Sequence, residues 1–430
     1  MKLENLIKNK KAKVAVIGLG YVGLPTAVEL AKSGFQVFGI DIQKKRVNKV
    51  NKGNSFIFDV SSKDLKEAIK SKNLKAFNNN SPLKNSNIVL ICVPTPLDKN
   101  KVPDISYIRA TTQEIAKYLK KGQLIILESS TYPGTTREII LPGLEKRKLK
   151  VGKDFFLAYS PERIDPGNEI YKLKDIPRVV GGITQKCTQL ATKFYQSFIQ
   201  AEVKPLSSPE TAEMTKILEN TFRLVNISMV NELTLLCGKL GIDIWEVIEG
   251  AKTKPYGFFP FYPSPRCGGH CISVDPFYLS FKAKEYNFWP RFIELAGEIN
   301  DQMPHFVVTR VIWALNLENK PVRNSKILIW GLAYKKNIGD TRESAAHDVI
   351  SDLLRKGAKV DYFDPFVKEF KSAKKTLKSI KYSPGRLKGY DLVLILTDHS
   401  GFDYDKLAKN AKLVVDTRNA IKSRKYKNVF

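Results

Sequence analysis

The sequence predicts an α/β protein of two doubly wound domains joined by a helical connector with a long central helix. Three observations carry this. An apolar strand runs into a glycine-spaced turn near the N-terminus, Lys13-Val-Ala-Val-Ile-Gly18-Leu-Gly20-Tyr21-Val22-Gly23. The last third replays it as Lys326-Ile-Leu-Ile-Trp-Gly331-Leu-Ala-Tyr334. Between them, roughly residues 205 to 305 lack buried-strand runs and show a helical stripe instead. The expected domains are therefore residues 1–204, 205–305 and 306–430.

In the first domain, Val14 to Ile17 reads as a buried parallel strand and Val22 to Ala31 as the helix packed behind it. Gly18 permits the tight turn, Gly20 lets the backbone approach a pyrophosphate, and Gly23 allows close helix–strand packing. The free N–H groups and positive dipole end of that helix suit phosphate oxygens. A second strand, Gln36 to Ile40, ends at Asp41, where a carboxylate accepts both hydroxyls of an adenosine ribose. This Rossmann-like arrangement predicts NAD as cofactor, held by Gly18, Gly20, Tyr21, Val22, Gly23 and Asp41. Arg46 is a further cofactor candidate, since a nearby arginine also suits the 2′-phosphate of NADP.

The repeat continues strand by strand. Gly357 to Asp364 mirrors Gly34 to Asp41, Asp391 to Thr397 answers Asn87 to Val93, and Lys412 to Thr417 answers Gln123 to Glu128. Such uninterrupted apolar runs fit strands buried on both faces. The second copy has Ala333 where Gly20 stood, followed by Lys335 and Lys336. This loop is either adapted to a different phosphate-bearing ligand or a structural relic. In the connector, Thr211 to Leu240 reads as one helix, with Met214, Ile217, Leu218, Phe222 and Val225 marking its apolar side. A helix of that kind suits a dimer spine, so a homodimer or higher homo-oligomer is expected.

Composition sets the outer limits. The 430 residues exceed a single core, and 43% apolar content is ample for several. No apolar run reaches the roughly 18 residues of a membrane span, and Met1 to Lys13 has no signal-peptide core. Five scattered cysteines do not resemble a secreted disulfide framework. A soluble, cytoplasmic protein with no membrane insertion is expected. The net charge of +28 raises the question of nucleic acid. The lysines, however, run along the whole chain without a recognition motif, which favours a solvated basic surface over specific nucleic-acid binding.

The remaining chemistry lies in Cys267-Gly268-Gly269-His270-Cys271-Ile-Ser-Val-Asp275. Two glycines let a substrate approach the backbone, a thiol there can attack a carbonyl carbon, and an aspartate four residues on can hold a proton or a water. Cys267, His270 and Cys271 are close enough in sequence to share zinc, but no second ligand pair accompanies them, and no metal is expected. The spacing also allows a Cys267–Cys271 disulfide under oxidation.

With the glycine fingerprint and the Gly268-Gly-His-Cys271 segment stand four further motifs: Val93-Pro-Thr-Pro96, Glu128-Ser-Ser-Thr-Tyr-Pro-Gly134, Ser160-Pro-Glu-Arg163 and Gly339-Asp-Thr-Arg-Glu-Ser344. In this order they resemble the UDP-glucose/UDP-N-acetylhexosamine 6-dehydrogenases, nearly end to end. The resemblance implies oxidation of a UDP-sugar C6 alcohol to the acid in two NAD-dependent steps, for surface polysaccharide precursors. Ser160 to Asn168 looks like the N-acetylhexosamine branch. Thr253-Lys-Pro-Tyr-Gly-Phe258 and the Gly-Gly-His-Cys form point to UDP-N-acetylglucosamine ahead of the mannosamine, galactosamine and glucose sugars. Ser264-Pro-Arg266-Cys267 departs from the family pattern and is expected to line the approach to the sugar.

By the same resemblance, Cys271 is the nucleophile and Asp275 a base acting through water. Lys216 and Asn220, one helical turn apart, face C6. Glu162 activates the hydrolytic water, and Thr131 lies near that water and the nicotinamide. Thr95 and Arg342 join the cofactor set. Arg163, Tyr262, Gly268, Tyr334, Lys335 and Arg418 join Glu162, Lys216 and Asn220 in holding the UDP-sugar. Two other classes compete: a single-step hydroxy-acid dehydrogenase, which needs no cysteine, and a basic nucleic-acid-binding protein.

Overall fold

A computed structural model describes residues 2–57, 59–98, 100–165, 170–269, 271–372 and 375–430. The chain clusters into two compact units, Met1–Glu219 with Phe277–Phe288, and Asn220–Pro276 with Trp289–Phe430. His270 and residues 166–168 of the Ser160–Asn168 motif lie outside the described residues.

The first unit is built on eight strands: β1 (Lys13–Ile17), β2 (Gln36–Ile40), β3 (Leu74–Phe77), β4 (Ile88–Ile91), β5 (Leu124–Leu127), β6 (Phe156–Tyr159), β7 (Arg178–Gly182) and β8 (Val203–Leu206). Their order in the sheet is β3-β2-β1-β4-β5-β6-β7-β8, parallel throughout except for the β6–β7 pair. The order reverses at β1, which pairs with β2 on one side and β4 on the other. That switch leaves a crevice beyond the strand ends, where doubly wound sheets bind ligands. Alternate residues feed two cores: Val14 and Val16 enter one, Ala15 and Ile17 the other. Burial on both faces is what the uninterrupted apolar run demanded. The helix Gly23–Lys32 stops at Gly34, which turns the chain with a φ of +93°.

The second unit repeats this plan at smaller scale. Strands β9 (Lys326–Trp330), β10 (Lys359–Phe363), β13 (Leu392–Ile395) and β14 (Val414–Asp416) form a parallel sheet in the order β10-β9-β13-β14. This is the β2-β1-β4-β5 portion of the first sheet, in the same sequence correspondence the repeat predicted. A short antiparallel hairpin, β11 (Glu369–Lys371) and β12 (Thr376–Lys378), stands apart. Gly357, with a φ of +88°, follows the helix Ala346–Arg355 as Gly34 follows its counterpart.

The long helix runs Pro209–Leu240, two residues earlier than the sequence reading placed its start. Met214, Leu218, Phe222, Met229, Leu233, Leu236 and Leu240 are exposed along it. Their steps of three, four and seven residues average about 3.7 per turn, which holds them in one apolar seam along a single face of the helix. Among the described residues, no helix is long and apolar enough to cross a membrane.

Candidate active site

In the first unit the glycine loop after β1 is shaped by steric demand. Gly18 has a φ of +92°, and a Cβ there would collide with the Cys92 carbonyl. A Cβ at Gly23 would collide with the Gly18 carbonyl, whereas one at Gly20 would meet nothing within 4 Å. Gly20 thus faces open space, as a backbone that must admit a pyrophosphate requires. Val22 caps the helix that follows, and Tyr21 is partly exposed beside it. Asp41 is buried; its Oδ2 accepts from Leu19 N at 3.0 Å and its Oδ1 from Gln43 N at 2.7 Å. Arg46 Nη1 lies 3.5 Å from Asp41 Oδ2, so this arginine leans on the acid rather than standing alone to receive a phosphate. These residues fit a dinucleotide with free ribose hydroxyls.

The ends of β4, β5, β6 and β7 carry a buried charged cluster. Arg178 pairs with Glu162 Oε2, and its Nη1 is 3.5 Å from Glu128 Oε1. Tyr195 donates to Glu128 Oε1 at 2.6 Å, and the Cys92 thiol to Glu128 Oε2 at 3.4 Å. Burial pushes the Glu128 pKa up, and the Arg178 charge only partly offsets it. Burial alone would lower Arg178, but the Glu162 and Glu128 carboxylates outweigh it and hold the guanidinium above its ordinary range. Burial, reinforced by Glu128, raises Cys92 well above the usual thiol range and leaves it un-ionised. Glu162 Oε1 accepts from Arg163 N and Ile164 N at 2.7 and 2.9 Å. Both its oxygens are therefore held in place. The Arg163 guanidinium binds Glu219 at 2.6 Å and the Pro177 carbonyl at 2.9 Å.

Thr95 and Thr131 are both buried. Thr95 Oγ1 donates to the Ser130 carbonyl at 2.8 Å, and the Thr95 carbonyl accepts from Tyr278 Oη. The hydroxyls of Thr131 and Thr135 are 2.6 Å apart. The loop that carries Thr131 is anchored by Glu213 of the long helix, which accepts from Gly134 N at 2.6 Å, Thr136 N at 2.9 Å and Thr136 Oγ1 at 2.7 Å. Burial lifts the Glu213 pKa to about 7 despite these donors. Lys216 follows on the same side of the helix and is buried.

In the second unit, Asn220 Nδ2 donates to Asp275 Oδ2 at 2.6 Å, and both residues are buried. Asp275 opens the helix Asp275–Ala283, and its N–H donates to the Cys271 carbonyl at 2.8 Å. Cys271 is exposed, and all five cysteines are free thiols. Gly268 and Gly269 are packed by Tyr334: a Cβ on Gly268 would come within 2.7 Å of Tyr334 Cβ, and Gly269 has a φ of +85°. Arg266 and Cys267, expected to line the approach to the sugar, each have partners within this unit. Arg266 pairs with Asp301 at 2.8 Å and with Asp348. Cys267 is packed with Leu224 and Ala296, where burial raises its thiol to about 12.

The loop after β9 is held as its counterpart is. Asp364 Oδ2 accepts from Leu332 N at 2.7 Å and Ala333 N at 3.2 Å. His399, fully buried, lies 3.1 Å from Asp364 through Nε2 and accepts from Asn337 N through Nδ1 at 3.0 Å. Tyr334 and Lys335 sit between these anchors, and Tyr334 N donates to the Asp340 carbonyl at 3.1 Å. Arg342 binds Asp340 through Nη2 at 2.6 Å. Arg418 follows β14 and binds Asp398 at 3.1 Å. Tyr262 stacks on Trp245 with ring centroids 5.7 Å apart and donates to Glu249 at 2.9 Å.

Sequence reasoning passed over Arg178, Glu213 and His399. A signal existed for the first: an arginine opening the apolar strand Arg178–Gly182 must find an acid if it is buried. For the second, Glu213, Lys216 and Asn220 fall at i, i+3 and i+7, a polar stripe within one helix. Nothing local distinguishes His399.

Comparison with known proteins gives three consecutive matches along the chain. Models of the UDP-glucose/GDP-mannose dehydrogenase family match residues 12–199 (NAD binding domain), 210–302 (central domain) and 328–423 (UDP binding domain). A UDP-N-acetyl-D-glucosamine 6-dehydrogenase of Pseudomonas aeruginosa is 37% identical over 397 residues, 91% of this chain and 92% of that one. A UDP-N-acetyl-D-mannosamine dehydrogenase of Methanococcus maripaludis is 36% identical over 428 residues, 96% and 94% of the two chains. Among solved structures, a UDP-D-ManNAc dehydrogenase from Pyrococcus horikoshii superposes with a TM-score of 0.88 at 35% identity, covering 96% of each chain.

Proposed function

This chain belongs to the UDP-glucose/GDP-mannose dehydrogenase family, and from that premise we propose that it oxidises the C6 hydroxyl of a UDP-N-acetylhexosamine to the carboxylate in two NAD-dependent steps. It is an NAD-dependent oxidoreductase, and NAD supplies the hydride acceptor. The observation that carries the reading furthest is the Asn220–Asp275 hydrogen bond one helical turn after an exposed Cys271.

In this reading Lys216 and Asn220 stabilise the alkoxide that forms as the C6 hydride leaves, and Asp275 takes the hydroxyl proton through a water. The Cys271 thiolate then adds to the aldehyde carbon and holds it as a thiohemiacetal. Loss of a second hydride turns this into a thioester. Water, oriented by Glu162 and Thr131, attacks the acyl carbon; the C–S bond breaks, and the uronic acid leaves with the thiolate restored. Arg163, Tyr262, Gly268, Tyr334, Lys335 and Arg418 hold the UDP-sugar. Gly18, Gly20, Tyr21, Val22, Gly23, Asp41, Arg46, Thr95 and Arg342 serve the cofactor. The product is a surface-polysaccharide precursor, and the enzyme works in the cytoplasm as a homodimer or larger assembly through its long helix. The three domains 1–204, 205–305 and 306–430 divide cofactor, connector and UDP-sugar between them.

UDP-N-acetylglucosamine is the preferred sugar on the Thr253–Phe258 and Gly268–Cys271 motifs. UDP-N-acetylmannosamine is the second reading, supported by relatives of that name at similar identity. The test is NADH formed per sugar consumed, with each UDP-sugar, beside Cys271→Ser. Two NADH per UDP-N-acetylglucosamine, with the variant stalled before the acid, is the expected result. One NADH per sugar would overturn the covalent mechanism, and turnover of the mannosamine sugar alone would reverse the choice of epimer.

A further inference from the structure

Apart from these groups, the second unit has a half-open cavity of about 280 Å³. Its wall includes Thr234 of the long helix, Trp245, Ser264, Phe306 and Arg310 of the helix Arg291–Leu317, and Asn419 after β14. The second-unit residues proposed to hold the UDP-sugar, Asn220, Tyr262, Gly268, Tyr334, Lys335 and Arg418, are not part of this wall, although Tyr262 stacks on its Trp245.

The charges in the wall are unequally satisfied. Arg424 pairs with Asp243. The Asp416 carboxylate accepts from Arg418 N at 3.0 Å and Ile421 N at 2.8 Å. Arg310 remains. Its Nε is buried and has no hydrogen-bond partner among the described residues, and the same holds for the Ser264 hydroxyl. Burial lowers the Arg310 pKa, with no carboxylate acting against it. A guanidinium partly withdrawn from water without a counter-ion is costly, and an anion entering the cavity relieves that cost. Trp245 and Phe306 give the same cavity an aromatic wall, which suits a planar body.

We propose that this cavity is a second ligand site, separate from the UDP-sugar groove, that takes a compact organic anion: a phosphate or carboxylate paired with Arg310, on a planar apolar body lying against Trp245 and Phe306.

The test is isothermal titration of the full chain saturated with UDP, using phenyl phosphate, benzoate and uncharged phenol as probes. At least one anionic probe is expected to bind at one site per chain, tenfold or more tighter than phenol. Arg310→Met should weaken it at least tenfold, and Arg310→Lys should recover part of the loss. A crystal of the wild-type chain grown with phenyl phosphate should show the anion at Arg310, a result that does not depend on either variant folding. No binding in the presence of UDP, equal binding by folded Arg310→Met, or density away from Arg310 would each overturn the proposal. A preference between phenyl phosphate and benzoate identifies which anionic group the site takes.

Discussion

Asn220 and Asp275, 55 positions apart in sequence, meet in a buried hydrogen bond of 2.6 Å. The amide is a donor fixed on a long helix, and the carboxylate opens a second helix one turn after Cys271. Removing the amide leaves a buried acid short of a donor, which costs about 1–3 kcal/mol. Asn220→Ala should therefore lower the urea midpoint. Given the proposed role at C6, it should also reduce kcat by roughly 10²–10³-fold. Steady-state kinetics beside urea titration checks both; undiminished turnover would remove Asn220 from the chemistry.

Arg178 presents the opposite problem, a single cation shared by two buried acids. Arg178→Met strands Glu128 and Glu162 together, and breaking a buried pair in this way costs about 3–5 kcal/mol. Adding Glu128→Gln removes one of the stranded charges and should restore part of the stability. A thermal melt of wild type, single and double variants measures this. If the double variant is no more stable than the single, Glu128 is not the acid that Arg178 neutralises.

Glu213 makes stability depend on pH. Its folded pKa of about 7 stands above the ordinary 4.5, so between these values the folded chain holds a proton that the unfolded chain has released. Stability from this group is complete below the unfolded value, falls as pH rises toward 7 and is flat beyond. The loss is on the order of 3 kcal/mol. Urea titrations of wild type and Glu213→Gln at pH 5 and pH 8 should show the wild type losing ground to the variant. Equal pH dependence in both would assign the effect to other groups.

The exposed seam on the long helix should bury itself against a second copy. Leu233→Glu places a charge in that seam and should halve the mass seen by light scattering after gel filtration, with the helical signal retained. A wild-type chain that is already monomeric at micromolar concentration would show that the seam has another use.

What could be read from sequence was local or repeated. Strands β1, β2, β4 and β5 and all four of the smaller sheet were legible because their runs are largely apolar, whereas β3 and β8, with exposed lysines, and the short β6 and β7 were not read. Cys271 and Asp275 were legible because their relation spans one turn. Arg266 was not, because its acids Asp301 and Asp348 lie 35 and 82 positions away. Glu213 offered only a polar stripe with Lys216 and Asn220, since its partners Gly134 and Thr136 stand 79 and 77 positions before it. A charged residue advertises its chemistry in sequence, but only the fold supplies its counter-charge.

Asp41 and Asp364 end corresponding strands, and each grips the backbone of the loop that faces it. Each loop is thus shaped by an aspartate of its own unit. Neither must be ordered by its visitor, so little entropy is lost when one arrives. The second loop carries Ala333 where the first has Gly20, with Lys335 and Lys336 beside it, and keeps the same aspartate grip. One frame, built twice, serves two different guests.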